Sequence, residues 1–136
     1  RFLAAVTRGT ERASGPEEGV VEAFVAAVTF AREHPMLRRL AHADPGAVTE
    51  TVAAGDATLL RMGTAYIAER MHGGRSGPPG REIRWTADVL ARLFLTWIAI
   101  PPTDPNVDDD GALRAFAREV LAPLVARAVA SSSEGG

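Results

Sequence analysis

The sequence has no cysteine and no lysine, and only five phenylalanines, two tryptophans and one tyrosine in 136 residues. Without thiols the chain can form neither a disulfide nor a thiolate-ligated metal site, and its redox compartment is not written in its composition. All 15 basic residues are therefore arginines, set against 17 carboxylates for a formal charge of −2. Nucleic-acid binding rests on basic clusters that neutralise phosphates, and this chain has no such excess. No apolar run approaches the roughly 18–20 residues that cross a bilayer, and no signal-peptide pattern opens the chain. A soluble, cytoplasmic protein with no membrane partner is expected. The lysine-free, alanine- and glycine-rich usage reads as the product of a GC-rich, bacterial coding sequence. The first residue is Arg1 rather than methionine, so the chain is expected to be part of a longer protein.

What is present is an ordinary globular mixture, 46% apolar and 24% charged, enough for one domain with a real core. That domain is expected over residues 1–130, followed by a disordered polar tail over 131–136. Strong punctuation divides the chain into helices, and no strand-period alternation or internal repeat is visible. Phe2, Leu3 and Val6 sit at helical spacing before Ser14-Gly15-Pro16. Ser14 and Glu17 have capping-box spacing, with Pro16 in the first turn of a helix that runs to His34. Its stripe is Val20, Val21, Phe24, Val25 and Val28. Pro35 opens a short helix through Met36, Leu37 and Leu40. Asp44-Pro45 starts a long helix reaching about Met71, in which Gly55 and Gly63 are candidate bends. The stretch HGGRSGPPG from His72 to Gly80 is expected to be a mobile loop. Thr86 and Asp88 suit the start of the next helix, which Pro101 and Pro102 end near Ile100. Asp109 or Asp110 caps the last helix, where Pro123 should introduce a kink.

The segment from Val89 to Ile100, VLARLFLTWIAI, carries one charge, Arg92. A surface helix needs a single apolar stripe, so a helix apolar nearly all round implies burial on both sides. One way to satisfy it is a central core helix in a monomer. The other, favoured here, is that this helix and the last one bury one face internally and another against a second copy. The seam residues would be Val89, Leu90, Leu93, Trp97, Phe116, Val120 and Leu124.

No residue pattern points to catalysis. His34 and His42 flank a short helix and could share a metal with Glu33 or Asp44, but helical metal sites use tighter spacing on one face. Two turn histidines, and no metal, are the expectation. Asp108-Asp109-Asp110 lacks the alternating ligands and distal glutamate of a calcium loop and is expected to cap a helix. The glycine-rich loop after His72 follows a helix and contains no GK[ST], so it is not a phosphate loop. No nucleophile elbow is present, no catalytic residue is assigned, and no cofactor is expected.

The order Glu33-His34-Pro35-Met36-Leu37-Arg38-Arg39-Leu40, then Asp44-Pro45, then Ala53-Ala54-Gly55, resembles the regulatory domain of tetracycline-repressor (TetR) family transcription factors. The apolar run from Leu93 to Ile100 closing on Pro101-Pro102, the acidic turn and the late proline fit the same pattern. The resemblance extends from Arg1 to about Arg127 and rests on helix layout and turns rather than on a signature. It implies an all-α, antiparallel bundle of about six helices that binds a small effector and mediates homodimerisation. It also implies a helix-turn-helix head, absent from this chain, through which the parent protein would bind operator DNA.

A small-molecule cavity is mostly apolar with a few orienting polar groups. The helix from Pro16, the long helix and the helix after Thr86 can supply Phe24, Val28, Leu59, Met62, Tyr66 and Phe94. Tyr66 would add a hydroxyl and Met62 an adaptable side chain. The same residues could equally be a filled core, leaving a helical interaction module without a ligand.

Overall fold

Proline and glycine decide where the helices begin and end. The computed structural model describes residues 15–35 and 58–134, with single positions at 4, 46 and 50. Helix α1 (Pro16–Glu33) starts on Pro16, whose fixed φ suits a first turn and whose missing amide costs nothing there. Its N-cap is Gly15, without a side-chain cap, rather than Ser14. Glu17 and Glu18 in that turn favour the helix dipole instead. At the other end the His34 amide donates to the Phe30 carbonyl at 3.0 Å, and Pro35 follows.

Helix α2 (Thr58–His72) closes where Gly73, at φ 68, donates its amide to the Glu69 carbonyl at 3.2 Å. Apart from the single helical positions 4, 46 and 50, the first helix expected before Ser14, the short helix at 36–40 and the start of the long helix at 45–57 fall outside the described residues. Helix α3 (Arg81–Ala99) begins directly after Gly80, not at Thr86. Thr86 and Asp88 looked like start signals by residue type, but both lie inside the helix. Ile83 and Ala87 are fully buried, and that burial extends the helix back to the end of the Pro78-Pro79-Gly80 turn. Asp88 instead pairs with Arg92 one turn on, at 2.8 Å.

The last helical stretch has three parts: α4 (Asp110–Phe116), a π-helical turn (Ala117–Leu121) and α5 (Ala122–Glu134). Asp109 caps it, accepting from the Ala112 amide at 3.2 Å. The kink expected at Pro123 is taken up just upstream. A proline lacks an amide and crowds the carbonyl four residues back, and a widened turn relieves both. Here Ala122 donates to Ala117, five residues back. Helix α5 continues past Ser131 to Glu134, so the helical part outlasts the expected boundary at 130.

Every regular element among the described residues is thus helical, with no strand. Their core joins Val21, Phe24, Val25 and Val28 of α1 to Ile83, Ala87 and Leu90 of α3. Leu113, Ala117, Leu121, Val125 and Ala128 of the last stretch complete it. Helix α2 enters through Ala68 and Met71 and packs mainly on α3. Burying each large aliphatic side chain stabilises by about 1.5–3 kcal/mol. The alanines admit close helix approach at little entropic cost.

The Asp109 cap gives a first prediction. Asp109→Ala should lower the unfolding free energy by about 1 kcal/mol, read from the urea midpoint at unchanged slope. Asp108→Ala removes only an exposed, long ion pair and should change it by less than about 0.5 kcal/mol. Equal losses at the two positions would show that charge, not capping, is what matters.

Candidate functional site

The six residues expected to line a ligand pocket divide into distinct environments. Phe24 and Val28 are buried in the core at 7% and 6% exposure. Phe94 is half-buried and packs against that core, and Tyr66 is half-buried on α2. Met62 is 60% exposed. Leu59 lies in α2, and its side chain is outside the described residues.

The seven residues expected at a dimer seam also separate. Val89, Val120 and Leu124 present themselves to solvent, at 54%, 46% and 39% exposure. Leu90 is in the core, and Leu93, Trp97 and Phe116 are half-buried against it. Helix α3 is therefore not covered all round within one chain. It leaves out Val89 and, at its C-cap, Ile100, together with Trp85, over whose ring the Arg81 guanidinium lies 5.0 Å from the centroid.

Three aromatic rings from three elements meet inside the chain. Phe24 meets Trp97 edge-on at 5.2 Å between centroids and Phe116 at 5.8 Å. Trp97 and Phe116 lie 4.8 Å apart. Such pairs add about 0.5–1.5 kcal/mol beyond the area they bury. Periodicity places each residue on the correct helix face, but it cannot say which faces meet. A residue assigned to the pocket and two assigned to the seam prove to be neighbours.

Residues that patterning passed over fix how α1 meets the last helical stretch. Arg114 grips both oxygens of Glu22, one contact being short and the other 3.3 Å. The hydrogen bond and charge of Glu22 hold Arg114 above the ordinary arginine pKa, against the opposing effect of burial. Arg118 reaches Glu18 at 3.6 Å on the same side. Arg32 donates to the Val107 carbonyl at 2.6 Å and faces Asp108 and Asp110 at 3.7 Å each, tying the loop before α4 to α1. Complementary charge on successive turns of two helices was the available signal, but it is read only once the helices are known to touch.

An open groove lies between α1 and the head of α4, with Val25, Ala26 and Phe30 as its apolar lining and Glu33, Asp110 and Arg114 on its polar side. None of the six expected pocket residues lines it.

Of the candidate metal ligands, Glu33 is exposed and His34 is half-buried with its ring 5.5 Å from Phe30. His42 and Asp44 lie outside the described residues. Among the described residues no three His, Asp or Glu side chains cluster to hold a metal. Nor is any helix among them long and apolar enough to cross a membrane. His72, expected at the start of a mobile loop, is instead the last residue of α2 and is 6% exposed. No family model, curated protein or solved structure matches the chain.

Proposed function

We propose that this chain is the effector-binding and dimerisation domain of a bacterial transcriptional repressor of the TetR type. In this reading it adopts that family's six-helix antiparallel bundle, and operator DNA is engaged through a helix-turn-helix head outside this chain. The observation that carries the reading is the set of large apolar side chains left uncovered on the last two long helices. Val89 on α3 and Ile100 at its C-cap, with Val120 and Leu124 on the last stretch, keep 39–66% of their surface exposed within one chain. Exposed large apolar side chains are what an interaction surface covers, and a two-fold dimer is the commonest closed assembly that does so. The formal charge of −2 supports assigning DNA contacts to another part of the protein. Regulation is a population shift: an effector that prefers one arrangement of the helices changes the spacing of the heads in the dimer.

A second reading, a helical interaction module without a small ligand, draws on the Phe24–Trp97–Phe116 cluster. That cluster packs three helical elements together through rings in mutual contact, as a filled core does.

One experiment addresses both readings. A library of small apolar compounds is screened for a rise in the thermal midpoint of this chain. A compound at a hundredfold excess over its Kd stabilises by about 2.7 kcal/mol, a shift of several degrees for a domain of this size. The intact protein should shift a DNA probe from its own upstream region at physiological salt. A stabilising compound should release it, and the 136-residue chain alone should give no specific shift. Sequence-specific DNA binding by this chain alone would overturn the assignment. Stabilising compounds that leave the intact protein on its DNA would favour the interaction module.

A further inference from the structure

The loop from Gly73 to Gly80 joins α2 to α3, the helix on which α2 mainly packs. Gly73, Gly74 and Gly77 all have positive φ, at 68, 75 and 79. A segment this permissive has many alternative paths, so one path needs tethers. Among them are the Gly73 amide on the Glu69 carbonyl, the Arg75 Nε–H on the His72 carbonyl at 3.0 Å, and the His72 ring on the Gly77 carbonyl. The ring contact reaches furthest into the loop, and it is made by a side chain only 6% exposed.

The chemistry of that contact fixes the proton. A carbonyl only accepts, so the Nε2 that lies 3.0 Å from the Gly77 oxygen carries the hydrogen. In a neutral ring Nδ1 is then a bare lone pair, and it is buried with no hydrogen-bond partner. Protonation would place a charged N–H at that position with nothing to receive it.

We infer that His72 is an acid-released latch on the α2–α3 loop, closed by the neutral ring's Nε2–H bond to Gly77 and opened when Nδ1 takes a proton. The charged groups on the elements around it are Arg61, Glu69 and Arg70 on α2, Arg75 in the loop, Arg81, Glu82, Arg84, Asp88 and Arg92 on α3, and Arg127 and Glu134 on α5. No carboxylate contacts either ring nitrogen among the described residues, whereas Arg75 touches the residue's own carbonyl. The carbonyls at the end of α2 favour a cation there. They act on the ring wherever it sits near the helix end, whereas Nδ1 finds an acceptor only by turning out to water. Closure therefore belongs to the neutral ring and is lost when Nδ1 is protonated.

The test is a residue-assigned NMR titration of the full 136-residue chain. At high pH the His72 ring should show the Nε2–H tautomer. As pH falls, the Gly74 and Gly77 amide signals should move with the same midpoint as the ring. Exchange of the Gly73 amide, corrected for its intrinsic pH dependence, should rise about tenfold, the loss expected for one buried hydrogen bond. His72→Gln keeps a donor nitrogen at the ε position but cannot titrate, so its loop should not respond to pH. His72→Phe should exchange at the released rate at every pH. An Nδ1–H tautomer, a ring that titrates without the loop, a ring that stays neutral until acid unfolding, or the same loop response in His72→Gln would each overturn the latch. Should neither variant fold, the titration of the unmodified chain decides alone.

Discussion

Phe24→Ala is expected to lower the unfolding free energy by about 3–5 kcal/mol. Against a total of about 5–15 kcal/mol for a natural domain, that brings the chain close to unfolding at room temperature. The size of the effect follows from where the ring sits. It is buried in the core and contacts both Trp97 and Phe116, so its removal strips contacts from α3 and α4 at once. Urea unfolding followed by tryptophan fluorescence reads both parts of the prediction, because emission from Trp97 should move to longer wavelength as its edge contact goes. Met62→Ala, at an exposed position, should cost less than about 0.5 kcal/mol. A Phe24 that faced an empty effector cavity would behave differently. Its removal would enlarge the cavity at small cost, and a loss below about 1 kcal/mol would return Phe24 to the pocket.

The double variant Val120→Glu, Leu124→Glu is expected to turn a dimer into a folded monomer. Both side chains stand one turn apart on the exposed side of the last helical stretch. In a two-fold assembly each glutamate would meet its own copy's counterpart or be buried against apolar surface, and both are costly. Sedimentation of the unmodified chain at micromolar concentration should give twice the chain mass, and the variant should give one. The variant's circular dichroism should keep its helical content. Leu90→Glu supplies the contrast. It puts a charge into the core of a single chain, where Leu90 is 6% exposed, and should unfold the protein rather than merely dissociate it. A monomeric unmodified chain would remove the ground for a seam on these helices.

The parts of this fold legible in the sequence were those set by local chemistry. Pro16 starts a helix because its φ and missing amide suit a first turn, and Asp109 caps one because its carboxylate reaches a free amide. Pro35 and the glycine-proline run after His72 stop helices for equally local reasons. Where burial competes with residue type, burial decides. The start of α3 at Arg81 follows from Ile83 and Ala87 packing inward, although Thr86 and Asp88 are better capping residues. The candidate sites were less legible than the helices. Apolar spacing cannot distinguish a core position such as Leu90 from an uncovered one such as Val89, its immediate neighbour. His72 shows the same limit. Its residue type and glycine neighbours suggested an open loop, and its burial depends on how α2 and α3 meet.

The π turn ahead of Pro123 has a consequence for how this helix tolerates changes of length. Leu113, Ala117, Leu121 and Val125, all buried, follow one another at four-residue intervals. On a regular helix of 3.6 residues per turn each such interval drifts by about 40°, so the row would wind away from the core within a few steps. The wider turn from Ala117 to Leu121 unwinds the helix where the drift would accumulate and keeps the row facing inward. The segment thus holds one residue more than a straight α-helix of the same phase requires. Its two halves belong to different helical frames, and a relative that lacked one residue here would present the same inward row from an unbroken helix. Between such chains the equivalent positions after Leu121 would be offset by one, and an ungapped comparison would match core residues with solvent-facing ones.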